Sequence, residues 1–262
     1  MDLEIKNKVA MVAAASKGLG RAIAETLAAE GCRVSICSRS VESMKDASEA
    51  IAAKGVEVLT TACDVSKAED LQRWFDATIA RFGQVDILVT NTGGPPAAPF
   101  MDLSEEQWSS GIDSTLMNVI RLSKMAITDM RKRKWGRIVH ITSLVAKQPT
   151  ALLTVSTTLR AGISALTKTL ADQVAGDGIN VNAVLPGHFL TDRQKQLSEI
   201  RSKEQGITTE EYLAAGVKAI PVGRYGQPRE LGDAVAFLCS ERATFITGVS
   251  LQVDGGQIRS TF

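Results

Sequence analysis

An apolar run from Val9 to Ala15 closes on Ala13-Ala14-Ala15-Ser16-Lys17-Gly18-Leu19-Gly20, and an amphipathic stretch follows at once. Glycines at a strand-to-helix turn let backbone approach a phosphate, and the helix N-terminus aims unpaired N–H donors at it. Such a turn is built to cradle the pyrophosphate of a dinucleotide. The next apolar run, Arg33–Cys37, is followed by Ser38 and Arg39. A site for NAD places an acid there to hold the ribose hydroxyls, and this chain has none. Arg39 offers a planar fork that pairs bidentately with a 2′-phosphate, and Ser38 can donate to the same group. Lys17 adds a second positive charge from the turn. These residues select NADP(H) over NAD.

Two histidines bear on proton transfer, because an imidazole titrates near neutral pH. His188 follows Pro186-Gly187 and is expected beside the reacting end of the dinucleotide or facing solvent. His140 lies inside an apolar run and is expected in the core, supporting others. Asp192, Arg193, Lys147 and Gln148 are candidates for the rim of a substrate opening. The four cysteines, Cys32, Cys37, Cys63 and Cys239, form no C-x-x-C pair and have no histidine at zinc-like spacing, so they read as small buried apolar residues and no metal is expected.

Residues of these types need a scaffold. Short apolar runs alternate with amphipathic stretches along the chain: strands at Val9–Ala15, Arg33–Cys37, Val56–Cys63, Val85–Thr90, Arg137–Thr142, Ile179–Leu185 and Val249–Val253. Helices are expected at Gly18–Glu30, from Val41 to about Lys54, at Lys67–Phe82, in a long region interrupted near Gly111, and at Ser156–Ala175. The pattern predicts an α/β fold, a Rossmann-type doubly wound parallel sheet with helices on both faces. At 262 residues with no linker or repeat, one domain over residues 1–262 is expected. The polar segment 192–222 reads as a helical flap over the carboxyl edge of the sheet, where substrates bind. A net charge of +1 leaves no footprint for nucleic acid or an anionic membrane, and the first residues lack the pattern of a signal peptide, so a cytoplasmic protein is expected.

The turn resembles the T-G-x-x-x-G-x-G fingerprint of the short-chain dehydrogenases/reductases, with Ala14 in place of its first glycine. Asp64-Val65 is similar to that family's adenine-contacting pair, and Asn91-Thr92-Gly93-Gly94 to its N-N-A-G segment. Pro186-Gly187 with Thr191 resembles the stretch that holds the nicotinamide carboxamide, and Val253-Asp254-Gly255-Gly256 resembles the usual ending. The likeness spans nearly the whole chain and is greatest to the family's 3-oxoacyl-acyl-carrier-protein reductases. It implies Ala14, Ser16, Lys17, Gly18, Leu19, Ser38, Arg39, Asp64, Val65, Asn91, Gly93, Arg160, Pro186, Gly187 and Thr191 as cofactor contacts. It also implies self-association through the long helices and the C-terminal segment, a homotetramer before a dimer.

The same resemblance implies a reaction centre of Asn, Ser, Tyr and Lys. Ser143 stands at the serine position, but thirteen residues on the chain has Ser156, four further on Arg160, and Thr115 fills the asparagine position. A serine hydroxyl is a far weaker acid than a phenol, and an arginine keeps its charge but cannot shuttle a proton. The expected activity is interconversion of a ketone and a secondary alcohol, with Ser143, Ser156 and Arg160 as the catalytic set and a proton from water, Ser156 or His188. The alternative is a catalytically inactive protein that binds NADP(H) as a sensor or as a partner in an assembly.

Overall fold

Buried apolar strands and amphipathic helices do alternate, as the periodicity predicts. The computed structural model describes residues 1–261 and leaves the side chain of Arg193 outside its description. Seven parallel strands form one sheet in the order β3-β2-β1-β4-β5-β6-β7. They are β1 (Val9–Val12), β2 (Arg33–Ser38), β3 (Val58–Ala62), β4 (Ile87–Thr90), β5 (Gly136–Ile141), β6 (Ile179–Pro186) and β7 (Ser250–Val253). Strands β1, β4, β5 and β6 are buried along their whole length, as strands covered on both faces are, and the polar residues within β5 and β6 (Arg137, His140, Asn180 and Asn182) are buried with them. The chain winds outward from β1 in both directions, which opens a crevice beyond the carboxyl ends of β1 and β4.

Helices α1 (Gly18–Ala29) and α2 (Lys45–Ala52) cover one face. Ile23, Leu27, Ala47 and Ile51 meet Val12, Ile36 and Val89 there. On the other face Leu71 and Trp74 of α3 (Ala68–Phe82) join residues of α5 (Asn118–Met130) and α6 (Thr154–Val174) over Met11, Leu88 and Ile138. A helix absent from the sequence reading, α9 (Pro228–Leu238), packs against α1. Its signals are present in the chain: Pro228 at its first position, and a reciprocal cap between Gln227 and Glu230. Gly232 makes the close approach possible, since a Cβ there would overlap the Thr26 hydroxyl of α1.

The long helical region is not broken at Gly111. It runs as α4 (Glu105–Gly111), a π-helical turn (Ile112–Met117) and α5. A Cβ on Gly111 would come within 2.5 Å of Val155 Cγ1, so glycine lets this turn lie directly on α6. The segment read as a flap holds α7 (Asp192–Gln205) and α8 (Thr209–Val217), which pack on one another. Its base is pinned where Leu190 N donates to the Gly226 carbonyl and Gly226 N to the His188 carbonyl. No helix among the described residues is long and apolar enough to cross a membrane.

Candidate active site

At the carboxyl end of β1 the chain turns into α1 and walls one side of a cleft of about 570 Å³. Ala14, Ser16, Lys17, Gly18, Leu19, Ser38, Arg39, Asp64, Val65, Asn91, Gly93 and Thr191 all line it. These are the sequence-predicted cofactor residues, save Arg160, Pro186 and Gly187. Ser114 and Asp192 line it too, and Ser114 carried no signal in the sequence because only the π-turn brings it there.

The turn fits a dinucleotide phosphate. No side chain caps the N-terminus of α1, so its first N–H groups stay available to a ligand. Among the described residues neither Lys17 nor Arg39 is held in an ion pair, which leaves both cations for an anion in the cleft. Gly20 is fixed by contact: a Cβ there would lie 2.5 Å from the Ala14 carbonyl oxygen and 2.8 Å from Asn91 Nδ2. The Asn91 amide spans the turn, with Nδ2 at 3.4 Å from both the Ala13 and Ala14 carbonyls. Ala14 itself has φ +50°, the left-handed region that glycine adopts without strain. Asp64 is held by Ser66, whose N–H and hydroxyl both donate to it and keep its carboxyl below the usual range. Pro186 and Gly187 lie where β6 ends, and Gly187 N donates to the Val253 carbonyl.

The residues expected at the reaction centre gather where β5 runs out. Ser143 follows β5 in extended backbone and caps a short turn, its Oγ accepting from Val145 N at 3.3 Å. Its own O–H donates to nothing among the described residues, which leaves a donor for a ligand oxygen. Ser156 and Arg160 lie one turn apart on α6, and both are only 7 % exposed. Arg160 Nε donates to Ser156 Oγ at 3.2 Å, while Nη1 donates to the carbonyls of Ile141 at 3.1 Å and Thr142 at 2.7 Å. Ser156 therefore accepts from a cation, which frees and polarises its own O–H as a donor. Burial pushes the guanidinium down to about 10, and it stays protonated at neutral pH. Thr115, at the asparagine position, is fully buried in the π-turn, and its hydroxyl finds no partner among the described residues. Neither Ser143, Ser156 nor Arg160 lines the cofactor cleft; they stand at the neighbouring strand end.

His188 lies elsewhere. It lines a smaller cavity with Phe189, Ile220, Val222 and residues of the C-terminal segment, and the Tyr225 ring stands edge-on to it. Gln257 fixes it: Gln257 Nε2 donates to Nδ1 at 2.6 Å, and Gln257 Oε1 accepts from His188 N at 2.9 Å. Sequence gave no signal for that partner, 69 residues away. His140 is core, as expected, held between Ser123 Oγ at 3.1 Å and Thr167 Oγ1 at 2.9 Å. Lys147 and Gln148 are exposed beyond Ser143.

Comparison with known proteins gives this geometry a context. Residues 13–257 match a family model described as enoyl-(acyl carrier protein) reductase. The chain is 36 % identical over 254 residues to 3-oxoacyl-[acyl-carrier-protein] reductase FabG of Salmonella typhimurium, covering 97 % of this chain and 98 % of that one. It is 35 % identical over 253 residues to dehydrogenase/reductase SDR family member 4 of Oryctolagus cuniculus, covering 96 % and 94 %. Among solved structures, L-sorbose reductase of Gluconobacter frateurii, complexed with NADPH and L-sorbose, matches with a TM-score of 0.96 at 34 % identity, over 99 % of this chain and 100 % of that one.

Proposed function

The chain belongs to the short-chain dehydrogenase/reductase family, and from that premise we propose that it is an NADP(H)-dependent oxidoreductase interconverting a ketone and a secondary alcohol, with Ser143, Ser156 and Arg160 as a non-standard catalytic set. One observation carries this reading. Two unspent hydroxyl donors, on Ser143 and on the Arg160-polarised Ser156, stand one strand over from a cleft whose phosphate turn and paired cations suit NADP. The relatives' activities point the same way: a 3-oxoacyl reductase and a sorbose reductase.

The cofactor, held by the α1 N-terminus, Lys17, Ser38, Arg39 and Asp64, supplies hydride chemistry when bound. The protein's own residues do the rest. Ser143 donates a hydrogen bond to the carbonyl oxygen and stabilises charge as it develops there. Ser156 is the second donor, and its proton is the one replaced from water. Arg160 supplies positive potential and does not move a proton, since a guanidinium lowered only to about 10 stays charged. Exposed Phe245, Val249 and Leu251 beside and along the outer strand β7 support self-association, a tetramer before a dimer, which light scattering reads directly.

The test is NADPH oxidation over a panel of ketones and diketones. Ser143→Ala is expected to cut turnover about 10²- to 10³-fold, the cost of one oxyanion donor. A second reading, a non-catalytic NADP(H)-binding protein, draws on the burial of Ser156 and Arg160 and their engagement with strand carbonyls. Saturable NADPH binding without turnover across the panel would establish that one instead. Absence of any NADP(H) binding would overturn both.

A further inference from the structure

Arg160 is a buried cation with no counter-ion. No carboxylate among the described residues pairs with it, and its acceptors are one hydroxyl and two backbone carbonyls. Removing a guanidinium from water without an anion costs several kcal/mol, on the order expected for an uncompensated buried ion. Such a charge persists where a ligand supplies the missing negative group.

Two features say where that group sits. The donors on Nε and Nη1 are spent, but Nη2 donates to nothing among the described residues. It is also not among the sealed polar atoms without partners, so that edge of the fork remains open. The π-turn that lies on α6 carries a second polar group without a partner among the described residues, the buried hydroxyl of Thr115.

The dinucleotide's phosphates cannot be the missing anion. Their cradle and the two free cations belong to β1 and β2, while Arg160 sits on the carbonyls that end β5. With β4 between, β5 is two strand spacings from β1 and three from β2, about 10 and 15 Å. That range is far beyond hydrogen-bond contact, so a group that pairs directly with Arg160 lies nearer than the phosphate cradle.

We infer that the substrate is a carboxylate-bearing carbonyl compound, a 2-oxo or 3-oxo acid, whose carboxylate is taken by the open Nη2 edge of Arg160 while its carbonyl oxygen meets Ser143 and Ser156. The inference rests on the ketone-reductase reading of the same site. In the forward direction the carbonyl carbon gains the hydride pair from NADPH and its oxygen gains a proton. The products are a hydroxy acid and NADP+, and the carboxylate is unchanged. Arg160 then sets specificity by charge.

The experiment uses the full-length protein loaded with NADPH. A panel of 2-oxo and 3-oxo acids is compared with their methyl esters, by binding calorimetry and by NADPH oxidation. The acids are expected to bind, and to turn over by kcat/KM, about 10- to 100-fold better than the esters, as one or two hydrogen bonds to a charged group imply. Arg160→Met is expected to erase that preference, and Arg160→Lys to retain part of it. If Arg160→Met does not fold, the acid–ester comparison on the unaltered protein decides alone. Esters equal to acids, or a preference that survives Arg160→Met, overturns the inference. Neutral ketones reduced without any acid preference leave the reductase standing and sink the carboxylate assignment. Acids that bind through Arg160 without turnover do the reverse.

Discussion

The strongest consequence of the core for behaviour in solution comes from His140. It lies in the middle of the buried strand β5, fully enclosed, and burial lowers its pKa to about 3. In the unfolded chain the imidazole titrates near 6.5. As the pH falls through 6.5 the unfolded chain takes up a proton that the folded chain refuses until about pH 3. The stabilisation is therefore complete above 6.5 and drains away below it. Each pH unit in that window removes about 1.4 kcal/mol, so at pH 4.5 roughly 2.7 kcal/mol is gone, a large share of a typical folding free energy of about 5–15 kcal/mol. His140→Gln keeps an amide between the Ser123 and Thr167 hydroxyls but does not titrate. Urea unfolding of both proteins from pH 7.5 to 4.5 is the assay. The unaltered protein is expected to lose about 2–3 kcal/mol more than the variant across that range. The depressed carboxylates, Asp64, Asp70 and Asp129 among them, lose their contribution at still lower pH and do so equally in both. Parallel pH profiles for the two proteins would refute a neutral buried imidazole.

Gly20→Ala places a methyl against the Ala14 carbonyl and the Asn91 amide, and overpacking of about 1–3 kcal/mol is expected to weaken NADPH binding roughly 10- to 100-fold by calorimetry. Arg39→Ala removes a charge-assisted partner, and a loss of about 10- to 100-fold in affinity is expected for NADPH with little change for NADH; equal losses for both would place the 2′-phosphate elsewhere. Ala14→Gly relieves a left-handed alanine of about 1–2 kcal/mol of strain against roughly 0.4–1 kcal/mol of added chain entropy, so the melting temperature is expected to hold or rise by a degree or more, and a clear fall would contradict the φ at that turn.

Much of the architecture was legible because it depends on neighbours in sequence. The short, largely apolar runs that became β1, β4, β5 and β6 announce buried strands, and the glycines before α1 announce a tight strand-to-helix turn. Helix α9 was missed although its proline and capping pair are local signals. The interruption expected near Gly111 is a π-turn that keeps the helix continuous, and the close seat of Gly111 on Val155 is a contact across space with no local signal.

Residue types and their spacing by themselves settled that strands alternate with helices, that a glycine-bearing turn opens α1, that Ser38-Arg39 follows the second strand with no acid, and that positions 156 and 160 share a helix face. Only the folded chain decided what those positions do. It set Arg160 onto the carbonyls of Ile141 and Thr142, enclosed His140 between α5 and α6, tied His188 to Gln257, and left Ala14 in a left-handed turn. Each of these outcomes except the last is a contact between groups distant along the chain, and the last is a backbone state imposed by the packing around it. Periodicity records which side of an element is buried; it does not record which partner waits there.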